Sequence, residues 1–282
     1  MNAALFDVSS LPDLPRAQGE NEIRARCQTQ YLGDGELLGR CLGRFKIFLD
    51  ARDLGFAPHI LLDGFWEYWI TQFIASNVSK GAVVLDVGAN FGYYSLLISE
   101  LVGPAGKCLA FEPNPAVAAK LRKTITVNGF AARTAVLEAA LGRNASGEVS
   151  FFVPHREPKN GMVLSVEPHE AKGLGTVISV PQTTVDTACR DLTRLDFVKI
   201  DAEGAEADII DGMTETIARF RPGILLEFNA ARAYDGRALA ERLRDVYGTL
   251  NCVDFDGQLQ PVTIEQLLRE NYGQDWMLYF AH

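Results

Sequence analysis

Four acidic residues, each at the end of a short apolar run, mark where this chain could do chemistry. Asp86 follows Val83-Val84-Leu85 and Glu112 follows Leu109-Ala110-Phe111. Asp201 follows Val198-Lys199-Ile200, and Glu227 follows Ile224-Leu225-Leu226. An apolar run that ends in an acid reads as a buried parallel strand whose carboxyl end meets a ligand. Behind Asp86, Gly88 and Gly92 let the backbone turn sharply and let a ligand approach it closely. The spacing is Asp-x-Gly-x-x-x-Gly, whereas the dinucleotide fingerprint wants a second glycine where Asn90 stands. An anionic Asp86 at the turn suits a cation better than a pyrophosphate. S-adenosylmethionine carries an ammonium and a sulfonium and no phosphate. Glu112, 24 residues beyond Gly88, stands about where an acid bonds ribose hydroxyls in such folds. The cofactor-facing candidates are therefore Asp86, Gly88, Asn90, Gly92 and Tyr93 in the first turn, with Glu112, Pro113 and Asn114 in the second. Asp201, at the end of its own strand, faces the same pocket.

In order and spacing, four stretches resemble the successive motifs of FkbM-type methyltransferases. They are Val84-Leu85-Asp86-Val87-Gly88-Ala89-Asn90-Phe91-Gly92-Tyr93-Tyr94, Phe111-Glu112-Pro113-Asn114, Val198-Lys199-Ile200-Asp201-Ala202-Glu203-Gly204-Ala205-Glu206 and Ile224-Leu225-Leu226-Glu227. The resemblance spans roughly residues 65 to 228 and leaves the outer segments unmatched, which makes those the expected seat of substrate choice. It implies a class I methyltransferase fold that uses S-adenosylmethionine, most often to methylate a hydroxyl oxygen. It also implies a cofactor role for Glu67, which matches a glutamate just ahead of the first motif. In this fold the turn after the third strand touches the adenine, which nominates Glu138, Ala139 and Ala140.

Methyl transfer from a sulfonium is an in-line displacement, in which the cofactor supplies the reactive group and the protein supplies orientation and a dry site. A hydroxyl is a weak nucleophile and needs a base or a cation beside it. Asp201, Glu203 and Glu206 are the candidate bases, with Asp201 preferred. Lys199 lies in a strand that should be buried, and an ammonium there needs a partner. Alternate residues of a strand share a face, so Lys199 is expected to pair with Asp201 and order the site. Alternatively, Asp201, Glu227 and Asn229 could hold a divalent metal, as in catechol-type O-methyltransferases. A loop at 154–175 carries His155, Arg156, Lys159, Asn160 and His169, and Asn160-Gly161 to Ser165 partly follow the family's small polar residues. His155 is the reserve catalytic candidate. The asparagine- or aspartate-Pro-Pro-aromatic run of amino-methylating nucleic-acid enzymes is missing. Two other classes remain open at this point: a dinucleotide-dependent dehydrogenase, and a module that binds the cofactor without turning it over.

The elements that must position these residues alternate between strand and helix from Val83 onward, which implies a parallel sheet. Strands are expected at 83–87, 107–111, 135–140, 196–201 and 223–228. Pro115 to Val127 reads as a helix capped by Asn114 and stopped by Asn128-Gly129. Glu148–Val153 and Thr176–Val180 read as two further strands around the 154–175 loop. The Asp256-Gly257 pair predicts a hairpin, and Met277–Ala281 a final antiparallel strand. The expected fold is α/β and Rossmann-like, a mostly parallel seven-stranded sheet with an antiparallel C-terminal strand and helices on both faces. Residues 1–80 would form an N-terminal extension that covers the substrate or meets a second copy, and 81–282 the cofactor-binding domain. Within the extension, Glu20–Leu38 reads as helical, Arg44–Asp50 as a strand and Phe65–Ser76 as a helix.

A formal charge of −9 without a large basic cluster speaks against a nucleic-acid partner. Five scattered cysteines without C-x-x-C spacing indicate neither a disulfide framework nor a zinc site. With no signal-like N-terminus and no apolar run near ~20 residues, a cytoplasmic protein without a membrane span is expected. Its acceptor would be a small molecule, a natural product or a glycan.

Overall fold

A computed structural model describes residues 4–145, 147–155, 161–164, 173–270 and 272–281. The chain opens with a 3-10 turn, Val8–Asp13, and α1 (Arg16–Arg24). An antiparallel sheet of β1 (Thr29–Gly33), β2 (Glu36–Cys41) and β3 (Phe45–Asp50) follows, then α2 (Ala57–Leu62) and α3 (Tyr68–Asn77). The helix expected over Glu20–Leu38 is a correction: it ends at Arg24, and the rest is a hairpin. Gly33, Asp34 and Gly35 all adopt positive φ, at 101°, 49° and 76°, which folds the chain back on itself.

The motif region gives β4 (Val83–Val87), α4 (Tyr93–Val102), β5 (Lys107–Phe111), α5 (Pro115–Val127) and β6 (Thr134–Leu137). A small sheet interrupts the alternation, built from β7 (Ala140–Leu141), β8 (Glu148–Pro154), β9 (Met162–Val163) and β10 (Gly175–Thr183). The third strand therefore stops at Leu137, short of the expected Ala140, because Ala140–Leu141 leaves the main sheet to pair with β10. Alternation resumes with α6 (Val185–Ala188), β11 (Phe197–Ile200), α7 (Glu206–Asp211), α8 (Thr214–Phe220), β12 (Gly223–Phe228) and α9 (Gly236–Tyr247). The chain closes with β13 (Asn251–Val253), β14 (Leu259–Pro261), a π-helical turn at Gln266–Glu270 and β15 (Trp276–Phe280).

The main sheet has the order β14-β13-β15-β12-β11-β4-β5-β6. From β12 to β6 its neighbours run parallel, and β15 lies antiparallel to both β12 and β13. It has eight strands where seven were expected, because the Asp256-Gly257 hairpin adds β14 as an edge partner of β13. The period of two is plain along β4. Val84 packs into one core with α4, α5 and the N-terminal extension, while Val83, Leu85 and Val87 pack into the other with α6–α9. β11 obeys the same rule, with Phe197 on the α4 side and Val198 and Ile200 on the opposite side. In β11 and β4, Lys199 is the register partner of Asp86, so both project toward α4. Burial of two apolar faces, at about 25 cal/mol per Å² removed from water, is what holds this arrangement together. Among the described residues no helix is long and apolar enough to cross a membrane.

Candidate active site

The carboxyl ends of β4, β5, β11 and β12 open onto a cavity of about 420 Å³. That is within the range of a small-molecule site. Its floor is the turn after β4. Gly88 has φ +73°, and a Cβ there would sit 1.8 Å from the carbonyl oxygen of Asp201, so only glycine fits. Gly92 caps α4 with φ +99° and abuts Leu121, which places it under the loop and off the cavity wall. Asn90, between them, is left-handed at φ +54°, and its backbone N–H donates to Glu112 Oε2 at 2.9 Å.

Glu112 is the hinge between the two motifs. Its Oε1 accepts the Asn114 backbone N–H at 2.9 Å, so each carboxylate oxygen holds one loop amide. Burial pushes its carboxyl up to about 7, although the two amide bonds favour the charged form. Asn114 itself is spent as the N-cap of α5, accepting from Ala116 N at 3.1 Å, and does not line the cavity. Pro113 does, as do Ala139 and Ala140. Glu138 instead points to Arg122, with 2.7 Å between their charged atoms.

Under this floor lies a buried cluster. Lys199 Nζ donates to Asp201 Oδ2 at 3.0 Å, stands 4.0 Å from Asp86 Oδ1 and lies 5.0 Å from the centre of the Tyr94 ring. Lys199 is 2% exposed and Asp86 is wholly buried. Burial works against the ammonium, but Asp201 and Asp86 outweigh it and hold it charged. For Asp86, burial raises the carboxyl despite Lys199 and a 2.5 Å bond from Ser95 Oγ. Asp86 was expected among the cofactor-facing residues. It lies beneath the cavity instead, because the even-numbered residues of β4 face α4. Lys199 and Asp201 pair as the alternation requires, and both line the cavity.

Glu67 and Tyr93 reach the cavity from the N-terminal side. Glu67 sits at φ +36° ahead of α3 and accepts from the Tyr94 hydroxyl at 2.8 Å. The Tyr93 hydroxyl meets Thr71 Oγ1 at 2.9 Å. Glu203 lines the far end at φ +53°. Three non-glycine residues in left-handed backbone thus converge on one cavity, which is where such strain concentrates. Glu206 is buried away from the cavity. Its Oε1 accepts from the backbone amides of Ala202 and Gly204, at 3.0 and 3.1 Å, and so braces the Asp201–Glu206 turn. His155 meets Thr176 Oγ1 at 3.3 Å and is not among the lining residues. Arg156, Lys159, Asn160, Ser165 and His169 lie outside the described residues.

Sequence reasoning missed Arg232 and Asp275, and the aromatic residues Phe56 and Trp66, all of which line the cavity. Arg232 Nη2 lies 2.8 Å from Glu203 Oε2, 3.5 Å from Glu227 Oε2 and 3.9 Å from Asp275 Oδ1. Of the three residues nominated for a metal, Asp201, Glu227 and Asn229, it reaches Glu227. Asn229, the third nominated ligand, is also engaged, its Oδ1 accepting from Ala231 N and its Nδ2 donating to Asp275. Burial, then the charges of Asp201, Glu203 and Asp275, push the Glu227 carboxyl well up. An arginine behind a strand-end acid was the available signal. Asp275 had none, because only the antiparallel run of β15 brings its start to the carboxyl end of β12.

These residues fit S-adenosylmethionine. Glu112 keeps lone pairs beyond its two amide bonds for ribose hydroxyls. The Gly88 backbone lines the cavity, Ala139 to Leu141 give an apolar slot, and the surplus of lining carboxylates suits a cationic cofactor. A parallel sheet with β15 antiparallel beside β12 and this glycine turn defines a class I methyltransferase. The model of the methyltransferase FkbM domain matches residues 86–256, and the chain belongs to that family, whose cofactor is S-adenosylmethionine. It is 26% identical to the 2-O-methyltransferase NoeI of Sinorhizobium fredii over 198 residues, covering 64% of this chain and 77% of that one. It is 25% identical to the hexuronic acid methyltransferase AglP of Haloferax volcanii over 193 residues, covering 62% and 72%. A solved FkbM methyltransferase from Methylobacillus flagellatus KT superposes with a TM-score of 0.44 at 17% identity. That match covers 72% of this chain and 44% of the other.

Proposed function

We propose that this methyltransferase acts on a hydroxyl oxygen of a glycan or small molecule, with Asp201 as the base. The observation that carries this reading is the placement of Asp201. It ends the central strand β11, lines the same cavity as Gly88 and Glu112, and is held at 3.0 Å by the buried Lys199. The names of the two relatives, a 2-O-methyltransferase and a hexuronic acid methyltransferase, support oxygen as the target.

When bound, S-adenosylmethionine supplies an electrophilic methyl on a sulfonium. Glu112 holds the ribose and fixes the loop through its amide bonds, and Glu67 takes the ammonium end. Asp201 would accept the proton of the acceptor hydroxyl, leaving that oxygen as the nucleophile for the methyl group the cofactor would supply. Lys199 is a positioning residue that fixes Asp201 and offsets its charge. Glu203, tied to Arg232, shapes the acceptor end. Phe56 and Trp66 of the N-terminal extension line the same cavity, which supports reading the extension as a substrate cover.

Incubation with cofactor bearing a deuterated methyl group and a panel of hydroxylated acceptors, read by mass spectrometry and NMR, tests the reading. A methyl on oxygen is expected, with a rate unchanged by chelator, because the Arg232 guanidinium stands between Glu203, Glu227 and Asp275. A methyl on nitrogen or carbon overturns it, and activity lost to chelator and restored by magnesium moves Asp201 from base to metal ligand.

A further inference from the structure

Glu67, Lys199 and Asp201 line one cavity, and the buried side chain of Tyr94 touches the first two. Tyr94 is the second residue of α4. Gly92, left-handed at φ +99° and seated against Leu121, fixes where that helix starts. Successive helical residues point about 100° apart, so Tyr93 and Tyr94 take separate directions. The Tyr93 hydroxyl meets Thr71 Oγ1 of α3 at 2.9 Å, whereas the Tyr94 hydroxyl donates to Glu67 Oε2 at 2.8 Å. The face of the Tyr94 ring meets the Lys199 ammonium, with Nζ 5.0 Å from its centre. That lies inside the ~6 Å reach of a cation–π contact. Tyr93 packs edge-on against the same ring at 5.1 Å and 79°, which steadies it.

Each of the two contacts has its own consequence. Glu67 stands at φ +36°, in backbone that a non-glycine residue keeps only where its surroundings hold it. A phenol that donates to one carboxylate oxygen helps fix which way that carboxylate faces. Burial, then the Glu67 charge, pushes the Tyr94 phenol well up, so it stays protonated, gives this hydrogen bond and is no base. At the other end, Lys199 Nζ donates to Asp201 Oδ2 at 3.0 Å and stands 4.0 Å from Asp86 Oδ1. The Tyr94 ring bounds a further side of the ammonium, and such a contact gains strength where water is excluded. A phenylalanine in this place would serve Lys199 and abandon Glu67, so the residue type matches both tasks.

We infer that Tyr94 is a positioning residue that ties the two ends of the reaction together: its hydroxyl aims Glu67 at the ammonium of the cofactor, and its ring holds the Lys199 ammonium beside Asp201. The inference rests on the roles proposed above for Glu67 and Asp201 and adds the residue that joins them.

Two variants separate the two contacts. Tyr94→Phe keeps the ring and removes the hydroxyl, and Tyr94→Leu removes both. Calorimetry compares S-adenosylhomocysteine with methylthioadenosine, which shares the nucleoside and the sulfur but has no amino-acid end. Tyr94→Phe should weaken S-adenosylhomocysteine about tenfold, the scale of one hydrogen bond to a charged group, and leave methylthioadenosine unchanged. NMR of protein carrying isotope-labelled lysine follows the Lys199 ammonium across a range of pH. The groups facing it are Asp201 at the end of β11, Asp86 from β4, Tyr94 from α4 and the Glu67 charge ahead of α3. In Tyr94→Phe Lys199 should titrate as in the parent, and in Tyr94→Leu it should lose its proton about tenfold more readily. Tyr94→Met repeats this measurement where the leucine variant does not fold. Equal losses for the two ligands in Tyr94→Phe, or no loss for either, overturn the inference, and so does a Lys199 titration that removal of the ring leaves in place. If all of this holds while Asp201→Asn turns over fully, the base reading fails and the positioning by Tyr94 stands.

Discussion

Replacing Lys199 with methionine removes the cation paired with Asp86 and keeps the volume of the side chain close to the original. Asp86 is wholly buried, Ser95 serves its Oδ2, and its Oδ1 has no hydrogen-bond partner. Breaking a buried pair from one side costs about 3–5 kcal/mol, because the remaining charge is left uncompensated. Methionine recovers part of that by sparing the burial of an ammonium, so a net loss of about 3 kcal/mol at pH 7 is expected. For a chain of this size, about 2–4 °C of melting temperature per kcal/mol turns this into roughly 6–12 °C. The pH dependence has a definite sign. The folded Asp86 carboxyl already sits above its unfolded value, so folding favours its protonated form and its penalty grows as pH rises through the folded value. Without Lys199 the folded value rises further, so the deficit of the variant should grow as pH rises and shrink toward acid pH. Urea denaturation followed by circular dichroism at several pH values measures this, and the further change Asp86→Asn should restore most of the lost stability. A Lys199→Met protein as stable as the parent, or a deficit that Asp86→Asn does not relieve, would refute the buried pair as the support of the site.

Three further outcomes are expected. Burial pushes the Glu112 carboxyl up to about 7, and if the carboxylate accepts ribose donors as proposed, cofactor affinity should rise with pH through that value. Glu112→Gln should weaken S-adenosylhomocysteine by about 1–3 kcal/mol above pH 7 and flatten the profile, read by calorimetry. Gly88→Ala forces a methyl onto the Asp201 carbonyl in left-handed backbone, so strain and overpacking together should cost about 2–5 kcal/mol and abolish cofactor binding, read by thermal shift with and without ligand. Asp201→Asn should fold normally, because the loss lies at a side chain that is partly exposed.

The part of the cavity built by the first two motifs was legible because its signals are local. The turn Gly88–Gly92, the acid Glu112 and the cap Asn114 act within a few residues of one strand end, and alternation along β11 gave the Lys199–Asp201 pair. Two parts of that reading needed coordinates. Alternation along β4 turns Asp86 under the floor and away from the ligand, a consequence of which face α4 covers. The hairpin hidden in Glu20–Leu38 was masked because Ile23, Cys27 and Tyr31 carry a helix-like spacing, and the Gly-Asp-Gly turn overrode it. The acceptor end was illegible because its parts meet only through topology. Phe56 and Trp66 come from the extension, Arg232 from the loop after β12, and Asp275 from the start of an antiparallel strand more than forty positions later.

The central claim is that Asp201 activates a hydroxyl beside the transferable methyl. The most direct measurement compares wild-type and Asp201→Asn enzyme, by calorimetry with S-adenosylhomocysteine and by single-turnover formation of S-adenosylhomocysteine on a methylated acceptor, across a range of pH. Nearly unchanged cofactor affinity with a rate reduced about 10²- to 10⁴-fold, and least reduced at high pH where the hydroxyl ionises unaided, is the expected result. Full turnover by Asp201→Asn at neutral pH would contradict it.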